Sequence, residues 1–201
     1  MNITLLTYGS RGDVQPFLPL ARGLIDRGHQ VIFAAPTRFE ELVRGHDISF
    51  SPLAGDPEDL SRRLNDAGFD FIKMIREMTV HAVEIGAQVL RQVGEASKDA
   101  DLILHTFIHA VGAHTLAREK GIPDIHVQNF PMFAATGDYP NVSMPHTNLR
   151  FFNRLTHAFA AKVSWWGSKM GFEQVRQRAG LPKRRLFWPF TDSQTPILCA
   201  W

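Results

Sequence analysis

The order of apolar and polar positions along the chain predicts strands and helices in alternation. Residues 3–7 form a short apolar run rich in β-branched side chains. Apolar side chains then recur at spacings of three and four: Phe17, Leu20, Ala21, Leu24 and Ile25. The first pattern is typical of a buried strand and the second of one face of a helix. The chain therefore begins with a strand, a turn at residues 8–16 and a helix.

The same alternation continues along the rest of the chain. Further strands are predicted at residues 31–35, 48–53, 101–105, 124–128 and 197–201. Helices are predicted at residues 38–44, 69–93 and 111–120, and a second long helix starts at Phe152 and continues toward Gly180, with a break near Gly171. Residues 55–68 and 130–145 are predicted to be irregular. Strands joined by crossover helices indicate an α/β fold with a Rossmann-like parallel sheet flanked by helices.

Composition narrows the possible classes of protein. The 201 residues are 44% hydrophobic and 21% charged, which is ordinary for a globular domain. The 22 basic and 20 acidic residues nearly balance, which argues against a nucleic-acid partner. Cys199 is the single cysteine, so the chain cannot form an internal disulfide, which favours a reducing compartment. Neither a signal peptide nor an apolar run long enough to span a bilayer is visible. We therefore expect a cytoplasmic protein.

The turn at residues 8–16 contains two glycines, a serine, an arginine and an aspartate, a set that a simple connection rarely needs. Its glycines, Gly9 and Gly12, form only G-x-x-G, and the second strand ends without the acidic residue that binds a ribose. A nicotinamide or flavin enzyme is thus disfavoured. The Gly-Lys-Ser/Thr triplet of phosphate-binding ATPase loops is also absent. The turn therefore matches neither a dinucleotide-binding loop nor an ATPase phosphate-binding loop.

The turn and the segments after it resemble a known family. Residues 9–16 read Gly-Ser-Arg-Gly-Asp-Val-Gln-Pro, and residues 27–31 read Arg-Gly-His-Gln-Val. This start resembles that of the GT-B glycosyltransferases, above all the sterol glucosyltransferases and the glycopeptide-antibiotic and macrolide glycosyltransferases. Further segments similar to the family follow in its order at residues 35–39, 48–57, 101–104, 114–123 and 180–182.

The resemblance implies a domain organisation. It identifies residues 1–201 as a single acceptor-binding domain, the N-terminal half of a GT-B fold. The C-terminal domain that holds most of the nucleotide-sugar is absent from this chain, so the isolated domain is expected to be inactive. The chain also ends inside the strand predicted at residues 197–201, without a polar tail. Because natural termini are usually exposed and polar, we expect one domain of a longer protein.

The resemblance also implies roles for the turn. Asp13 would be the general base of an inverting transfer, which moves a hexose from a UDP- or TDP-sugar to an acceptor hydroxyl. Ser10, Arg11 and Gly12 would face the phosphates of the donor, which is a co-substrate, and neither a cofactor nor a metal is required. The alternatives are that Asp13 only caps the following helix and that Arg11 is a surface ion-pair partner. Many plant-type relatives have a histidine base in this turn, and this turn contains none.

Loops at the carboxyl ends of the predicted strands would line the acceptor pocket. The candidates are Phe69, Met74, Met78, Thr106, Phe107, His109, Phe130, Met132 and Phe133. This apolar set suits a sterol, a lipid or a natural-product aglycone. The alternative for the methionines and aromatic residues is packing in the core. His105 and His109 are either part of this pocket or structural, and no group of histidines has zinc-site spacing.

Three further possibilities follow from the sequence. Phe159, Trp165 and Trp166, with Lys162 and Lys169 nearby, either pack into the domain or rest on a bilayer surface. The second possibility is an alternative to a two-domain enzyme: the chain is a non-catalytic acceptor-binding or membrane-anchoring subunit that recruits a separate donor-binding partner. The last alternative is a Rossmann-like binding protein of another class.

Overall fold

The computed structural model describes residues 1–67, 71–129, 135–141, 149–178, 180, 185–188 and 196–199. Within them lie the strands β1 (Asn2–Leu6), β2 (Gln30–Pro36), β3 (Ser49–Leu53), β4 (Leu102–His105), β5 (Asp124–Gln128) and β6 (Ile197–Cys199). The helices are α1 (Arg11–Val14), α2 (Leu18–Ile25), α3 (Glu40–Arg44), α4 (Pro57–Ala67), α5 (Phe71–Ala96), α6 (Ala110–Lys120) and α7 (Arg150–Arg178). Short 3-10 helices cover Gln15–Phe17, Thr37–Phe39 and Phe107–His109.

The strands form one parallel sheet in the order β3-β2-β1-β4-β5-β6. The predicted α/β class and Rossmann-like sheet are confirmed. β1 lies in the middle, with Leu6 opposite Ala34 of β2 on one side and His105 of β4 on the other. The chain reverses its direction of winding between β1 and β4, and such sheets bind ligands at the carboxyl ends of the strands at that point. The turn after β1 starts there.

Apolar side chains from the two faces of the sheet form two separate clusters. Ile3 and Leu5 of β1 belong to one cluster, together with Phe17 and Ala21 from the segment after the turn. Leu6 belongs to the other, which contains residues of α5 and α6. Because successive strand side chains point to opposite faces, one short apolar strand supports both layers. Helices on both faces therefore hold β1, and with it the start of the turn, in place.

Two predictions about helices were wrong. The segment predicted to be irregular contains α4, which starts where Asp56 Oδ1 accepts a 2.9 Å hydrogen bond from the Glu58 amide. Its charged composition hides it from an argument based on apolar periodicity. The break expected near Gly171 does not occur, because α7 is one helix through that residue. A glycine inside a helix costs only about 1 kcal/mol, which the packing of a long helix easily offsets.

The strand at the end of the chain differs from expectation in its exposure. β6 pairs with β5 at the edge of the sheet, where His126 lies opposite Ile197. Ile197 and Leu198 are 37% and 43% exposed, although a buried strand was predicted. An edge strand has a neighbouring strand on only one side, so its side chains are more exposed than those of a central strand. A short apolar run in the sequence does not distinguish the two positions.

A buried cluster of polar side chains joins β4, β5 and α6. His105 Nε2 lies 2.9 Å from Asp124 Oδ2, and His114 Nδ1 lies 3.0 Å from the same oxygen. The ring of His126 stacks on that of His105 at 5.2 Å. Burial acts to raise the pKa of Asp124, but hydrogen bonds from the two histidines outweigh it and hold that pKa below its usual range. His105 therefore has a structural role.

This cluster predicts a loss of stability in mild acid. Burial, with the charge of His105, lowers the pKa of His126 to about 3. The unfolded chain takes up this proton near pH 6.5 and the folded chain does not, so folding stability falls as pH drops below about 6.5. For His126 alone the free energy of unfolding should fall by about 1.4 kcal/mol per pH unit. Urea denaturation between pH 7 and 5 measures this slope.

Two variants isolate the contribution of His126. His126→Gln should flatten the pH slope by about the contribution of one proton, whatever its effect on stability at pH 7. His46 is exposed on the surface, and His46→Gln should leave the slope unchanged. An unaltered slope in His126→Gln would show that the acid sensitivity lies elsewhere.

Candidate functional site

The turn after β1 is anchored by two buried side chains. The Thr7 hydroxyl donates a 2.6 Å hydrogen bond to the carbonyl oxygen of Asp13. The Tyr8 hydroxyl lies 3.2 Å from His81 Nε2 on α5. The first contact closes the turn on itself, and the second attaches it to a helix that packs on the sheet. The six residues from 8 to 13 are therefore positioned by the core.

Burial governs both partners of the Tyr8 contact. Together with the nearby carboxylates of Asp56 and Asp59, burial raises the pKa of Tyr8 to about 12, so its hydroxyl keeps its proton at pH 7. Burial and the charge of Arg63 lower the pKa of His81, and the tautomer of its ring sets which partner donates. Gly55 makes room for this pair, because a Cβ there would lie 2.2 Å from the Tyr8 hydroxyl.

The carboxylate of Asp13 is held at one of its two oxygens. Oδ2 accepts hydrogen bonds from the Ser10 amide at 2.8 Å and from the Ser10 hydroxyl at 3.0 Å. The Asp13 amide in turn donates to the Ser10 carbonyl at 2.9 Å. Asp13 thus takes part in capping α1, as one alternative held, but capping occupies only Oδ2. The half-buried carboxylate keeps Oδ1 for other partners.

Asn129 is the partner of that second oxygen. Its side-chain Nδ2 lies 3.4 Å from Asp13 Oδ1 and 3.4 Å from the Gly12 carbonyl oxygen. Asn129 directly follows β5, so it comes from a different loop at the same edge of the sheet. Sequence reasoning missed this residue. Its place as the first polar residue after a predicted parallel strand was the available signal.

Arg11 and Gly12 of the turn face outward. Arg11 is exposed, and its Nε donates a 2.8 Å hydrogen bond to Gln15 Oε1. Among the described residues no carboxylate lies within ion-pair distance of Arg11, so none of them provides the surface ion pair that was the alternative. Gly12 is also exposed. A groove beside Ser10 and Arg11 is closed on its far side by Arg38 and Glu58, which form an ion pair.

Thr106 and His109 lie in the loop after β4, next to the turn. Both are more than nine-tenths buried, and the ring of His109 meets that of Tyr8 edge to face at 6.1 Å. Burial, with the charge of His105, lowers the pKa of His109 to about 4, so its ring is neutral at pH 7. Thr106 Oγ1 and His109 Nε2 have no hydrogen-bond partner in the part of the chain that the structure describes. Buried polar atoms of this kind call for a ligand or a water.

The other candidates for the acceptor pocket are placed less fully. Met74 and Met78 belong to α5, and Phe107 belongs to the 3-10 helix after β4. Phe69, Phe130, Met132 and Phe133 lie outside the described residues. Among the described residues no group of histidine, cysteine and acidic side chains has the arrangement of a metal site. None of the described helices is both long and apolar enough to cross a bilayer.

Comparison with known proteins decides the family. Residues 3–109, which contain the turn, Thr106 and His109, match the N-terminal domain of glycosyltransferase family 28. The chain belongs to this family. The resemblance inferred from the turn is confirmed, and membership sets aside a Rossmann-like binding protein of another class.

Curated relatives of this family-28 chain include two kinds of named glycosyltransferase. A sterol 3-beta-glucosyltransferase of Debaryomyces hansenii is 32% identical over 92% of this chain and 12% of the relative. An O-mycaminosyltylonolide 6-deoxyallosyltransferase of Streptomyces fradiae is 30% identical over all of this chain and 52% of the relative. The chain thus spans between about an eighth and about half of the relatives it matches.

A solved structure shows the fold of the family-28 domain. The glycosyltransferase SsfS6 of Streptomyces sp. SF2575, complexed with thymidine diphosphate, superposes with a TM-score of 0.53 at 18% identity. The match covers 98% of this chain and 52% of SsfS6. At this identity the likeness concerns the fold, and it agrees with assignment of the sheet to a GT-B half.

From the geometry of the turn we predict that replacement of Gly9 by any other residue lowers the stability of the fold. The φ of Gly9 is +138°, and a Cβ there would lie 2.3 Å from Asp13 Oδ2. Gly9→Ala should therefore displace the Asp13 carboxylate and cost about 2–4 kcal/mol of unfolding free energy, from backbone strain and the clash together. Urea denaturation measures this cost.

Gly28 provides the matched control for Gly9. It also has a positive φ, +83°, but a Cβ there would meet nothing within 4 Å. Gly28→Ala should therefore cost only the backbone strain, about 1–2 kcal/mol. Equal losses in the two variants would show that the close approach of Asp13 to Gly9 contributes nothing.

Proposed function

We propose that the protein is an inverting glycosyltransferase that moves a hexose from a UDP- or TDP-sugar to a hydroxyl group of a hydrophobic acceptor. The observation that carries the proposal is the Asp13 carboxylate, which is fixed at Oδ2 by Ser10 and keeps Oδ1 for a second partner. Family membership and the names of the relatives support sugar transfer. The donor, the stereochemistry and the base are our proposal.

In this proposal Asp13 is the general base. Oδ1 takes the proton of the acceptor hydroxyl while the hydroxyl oxygen attacks the anomeric carbon. The bond from that carbon to the diphosphate breaks, and its electron pair leaves with the nucleoside diphosphate. Attack from the face opposite the leaving group inverts the configuration. A base that is already positioned typically contributes 10²–10⁴-fold to such a step.

Ser10, Arg11 and Gly12 face the donor phosphates in the proposal. Arg11 supplies an exposed cation, which needs only to exchange its hydrogen bond with Gln15. Gly12 leaves open space, since a Cβ there would touch only Ser10 Oγ at 3.6 Å. The Ser10 hydroxyl donates to Asp13, so its part is to hold the base beside the donor. The donor is a co-substrate, and the reaction as proposed uses neither a cofactor nor a metal.

The acceptor side is assigned to the loop after β4 and to apolar residues around it. Thr106 Oγ1 and His109 Nε2 would bind polar groups of the acceptor, because both atoms are buried and none of the described residues satisfies them. The apolar wall would come from Phe69, Met74, Met78, Phe107, Phe130, Met132 and Phe133. A sterol, a lipid or a natural-product aglycone has this combination of one or two hydroxyl groups and a large apolar body.

The proposal includes a second domain. Residues 1–201 form the acceptor-binding domain, and a C-terminal domain of the same protein would hold the nucleotide-sugar across a cleft. SsfS6 was solved with thymidine diphosphate, and its chain is about twice the length covered here. The protein would act in the cytoplasm with peripheral contact to a membrane. The alternative of a non-catalytic subunit differs in that the donor-binding domain belongs to another chain.

Replacement of Asp13 tests the base. In the intact protein Asp13→Asn should lower kcat for transfer from UDP-glucose or TDP-glucose to a sterol or a macrolide by about 10²–10⁴-fold, because the amide cannot take the proton. Product formation by radiolabelled sugar transfer measures the loss. The fold should remain, since the amide oxygen still accepts from Ser10.

Asp26→Asn is the matched control for this change. Asp26 is an exposed aspartate directly after α2, and among the described residues its ion-pair partner is Arg22 of that helix. Its replacement should leave kcat within about twofold, as surface ion pairs are weak. If Asp13→Asn turned over at the rate of Asp26→Asn, the base assignment would be wrong. If no donor and acceptor pair gave product with the unaltered protein, the subunit alternative would be favoured.

Asn129 is proposed as a positioning residue for Asp13. Its amide points at Oδ1 and at the Gly12 carbonyl, so it orients Oδ1 without taking the proton. Asn129→Leu should lower kcat about tenfold with a smaller change in KM, and Asn129→Gln should recover part of the loss. Asn65→Leu, at an exposed position on α4, is the control and should change neither constant. Equal kcat in Asn129→Leu and Asn65→Leu would remove Asn129 from the mechanism.

A further inference from the structure

The outward face of α7 is apolar along most of its length. Its residues Phe152, Leu155, Phe159, Trp166 and Met170, here called the α7 stripe, are between 47% and 73% exposed. Their spacings of three, four and seven place them along one line of the helix. A surface helix normally has its apolar residues on the inner face. This helix therefore presents to solvent what is usually buried.

The inner face of α7 is held by polar contacts as well as packing. Asn153 Nδ2 donates to the Gly137 carbonyl at 3.0 Å, and His157 Nε2 lies 3.2 Å from the Tyr139 carbonyl. Trp165 packs against Trp188 at a ring distance of 5.4 Å. These contacts fix the rotation of the helix about its axis. Of the residues proposed from sequence for a membrane contact, Trp165 is therefore packed, whereas Phe159 and Trp166 belong to the exposed stripe.

Positive charges accompany the stripe. Lys162 lies between Phe159 and Trp166 on the helix, and Lys169 lies three residues beyond Trp166; both lysines are exposed. Over its whole length α7 carries six lysine and arginine residues against one acidic residue, Glu173, which lies 3.9 Å from Lys169. Two of the six are engaged elsewhere, because Arg176 is buried and Arg150 pairs with Asp138. Lysine and arginine side chains near an apolar surface extend their charged ends toward polar surroundings. The partner of this face must therefore accept apolar rings and be negatively charged at its rim.

We propose that the α7 stripe inserts into the headgroup region of an anionic lipid bilayer, with Lys162 and Lys169 bound to lipid phosphates. An amphipathic helix with aromatic residues on one side and lysines beside them lies in the plane of such an interface. A second copy of the chain fits less well, because a two-fold contact through the stripe would bring the same lysines together. This inference rests on the proposed function in one respect: a hydrophobic acceptor dissolves in the bilayer on which the domain would lie.

Vesicle binding tests the surface without any substrate. The intact protein should sediment with vesicles of phosphatidylcholine and phosphatidylserine at 3:1, and much less with phosphatidylcholine alone. Phe159→Ser with Trp166→Ser should lower binding to the mixed vesicles by about tenfold or more, because two aromatic side chains no longer leave water. Trp166→Phe should retain binding, since the ring remains apolar. The unaltered protein should show a blue shift of tryptophan emission on binding, and Trp166→Phe should lack most of it.

Two double variants, each of which removes two positive charges, test the role of the lysines. Lys162→Gln with Lys169→Gln should lower binding to the anionic vesicles by about 25-fold, at about fivefold per cation near the surface. Arg27→Gln with Arg44→Gln removes the same charge from exposed positions beside α2 and α3, on the other face of the sheet, and should lower binding far less. Equal effects of the two pairs would show attraction by net charge alone and would overturn the proposed surface.

Two further results would overturn the proposal. Undiminished vesicle binding by the Phe159→Ser, Trp166→Ser protein would exclude the stripe as the contact. Protection of Trp166 from hydroxyl-radical oxidation before vesicles are added would show that another part of the protein or a second copy covers the stripe. Sugar transfer is assayed separately with detergent-dissolved acceptor. An active enzyme that ignores vesicles refutes only the surface, and a vesicle-binding protein without transfer refutes only the proposed function.

Discussion

The hydrogen bonds between Ser10 and Asp13 Oδ2 are the contacts on which the rest of the site depends. They are possible only because Gly9 has no side chain and a positive φ, so that the carboxylate folds back over the turn. The buried Thr7 and Tyr8 fix the two ends of this arrangement to the sheet and to α5. Because one oxygen is satisfied within the turn, the other is presented at the sheet edge in a single orientation. Preorganisation of this kind avoids the cost of orienting a flexible side chain during a reaction.

Most of the fold and one part of the candidate site could be predicted from the sequence. The parallel sheet followed from alternating apolar runs, and Asp13 followed from its motif. The helix α4 was missed because five of its eleven residues are charged and only two are leucines, which makes its apolar pattern weak. The Asp56 cap marks its start. Asn129 was missed because its contact with Asp13 joins residues that are 116 positions apart. Only the crossover between β1 and β4, and the pairing of β4 with β5, bring these two loops together.

The histidines show why burial decides the role of a residue type. His105 and His109 are four residues apart, and sequence alone gave them the same two alternatives. His105 points into a network with Asp124 and His114, in which its ring nitrogen is hydrogen-bonded and its role is structural. His109 instead meets Tyr8, and its Nε2 has no partner among the described residues. Burial keeps His109 neutral at pH 7, so it offers a hydrogen-bond acceptor rather than a cation.

The site and the α7 stripe would meet different physical demands in the proposed acceptor-binding domain. For the proposed transfer, a hydroxyl group must reach a fixed carboxylate with little freedom, which requires rigid anchoring of the turn by the core. A hydrophobic molecule that carries this hydroxyl is scarce in water and abundant in a bilayer, which favours a domain that stays near the lipid surface. The exposed aromatic rings of α7 cost solubility and contribute little to the core. Retention of such rings beside lysines is understandable if they meet lipid while the turn after β1 meets the acceptor.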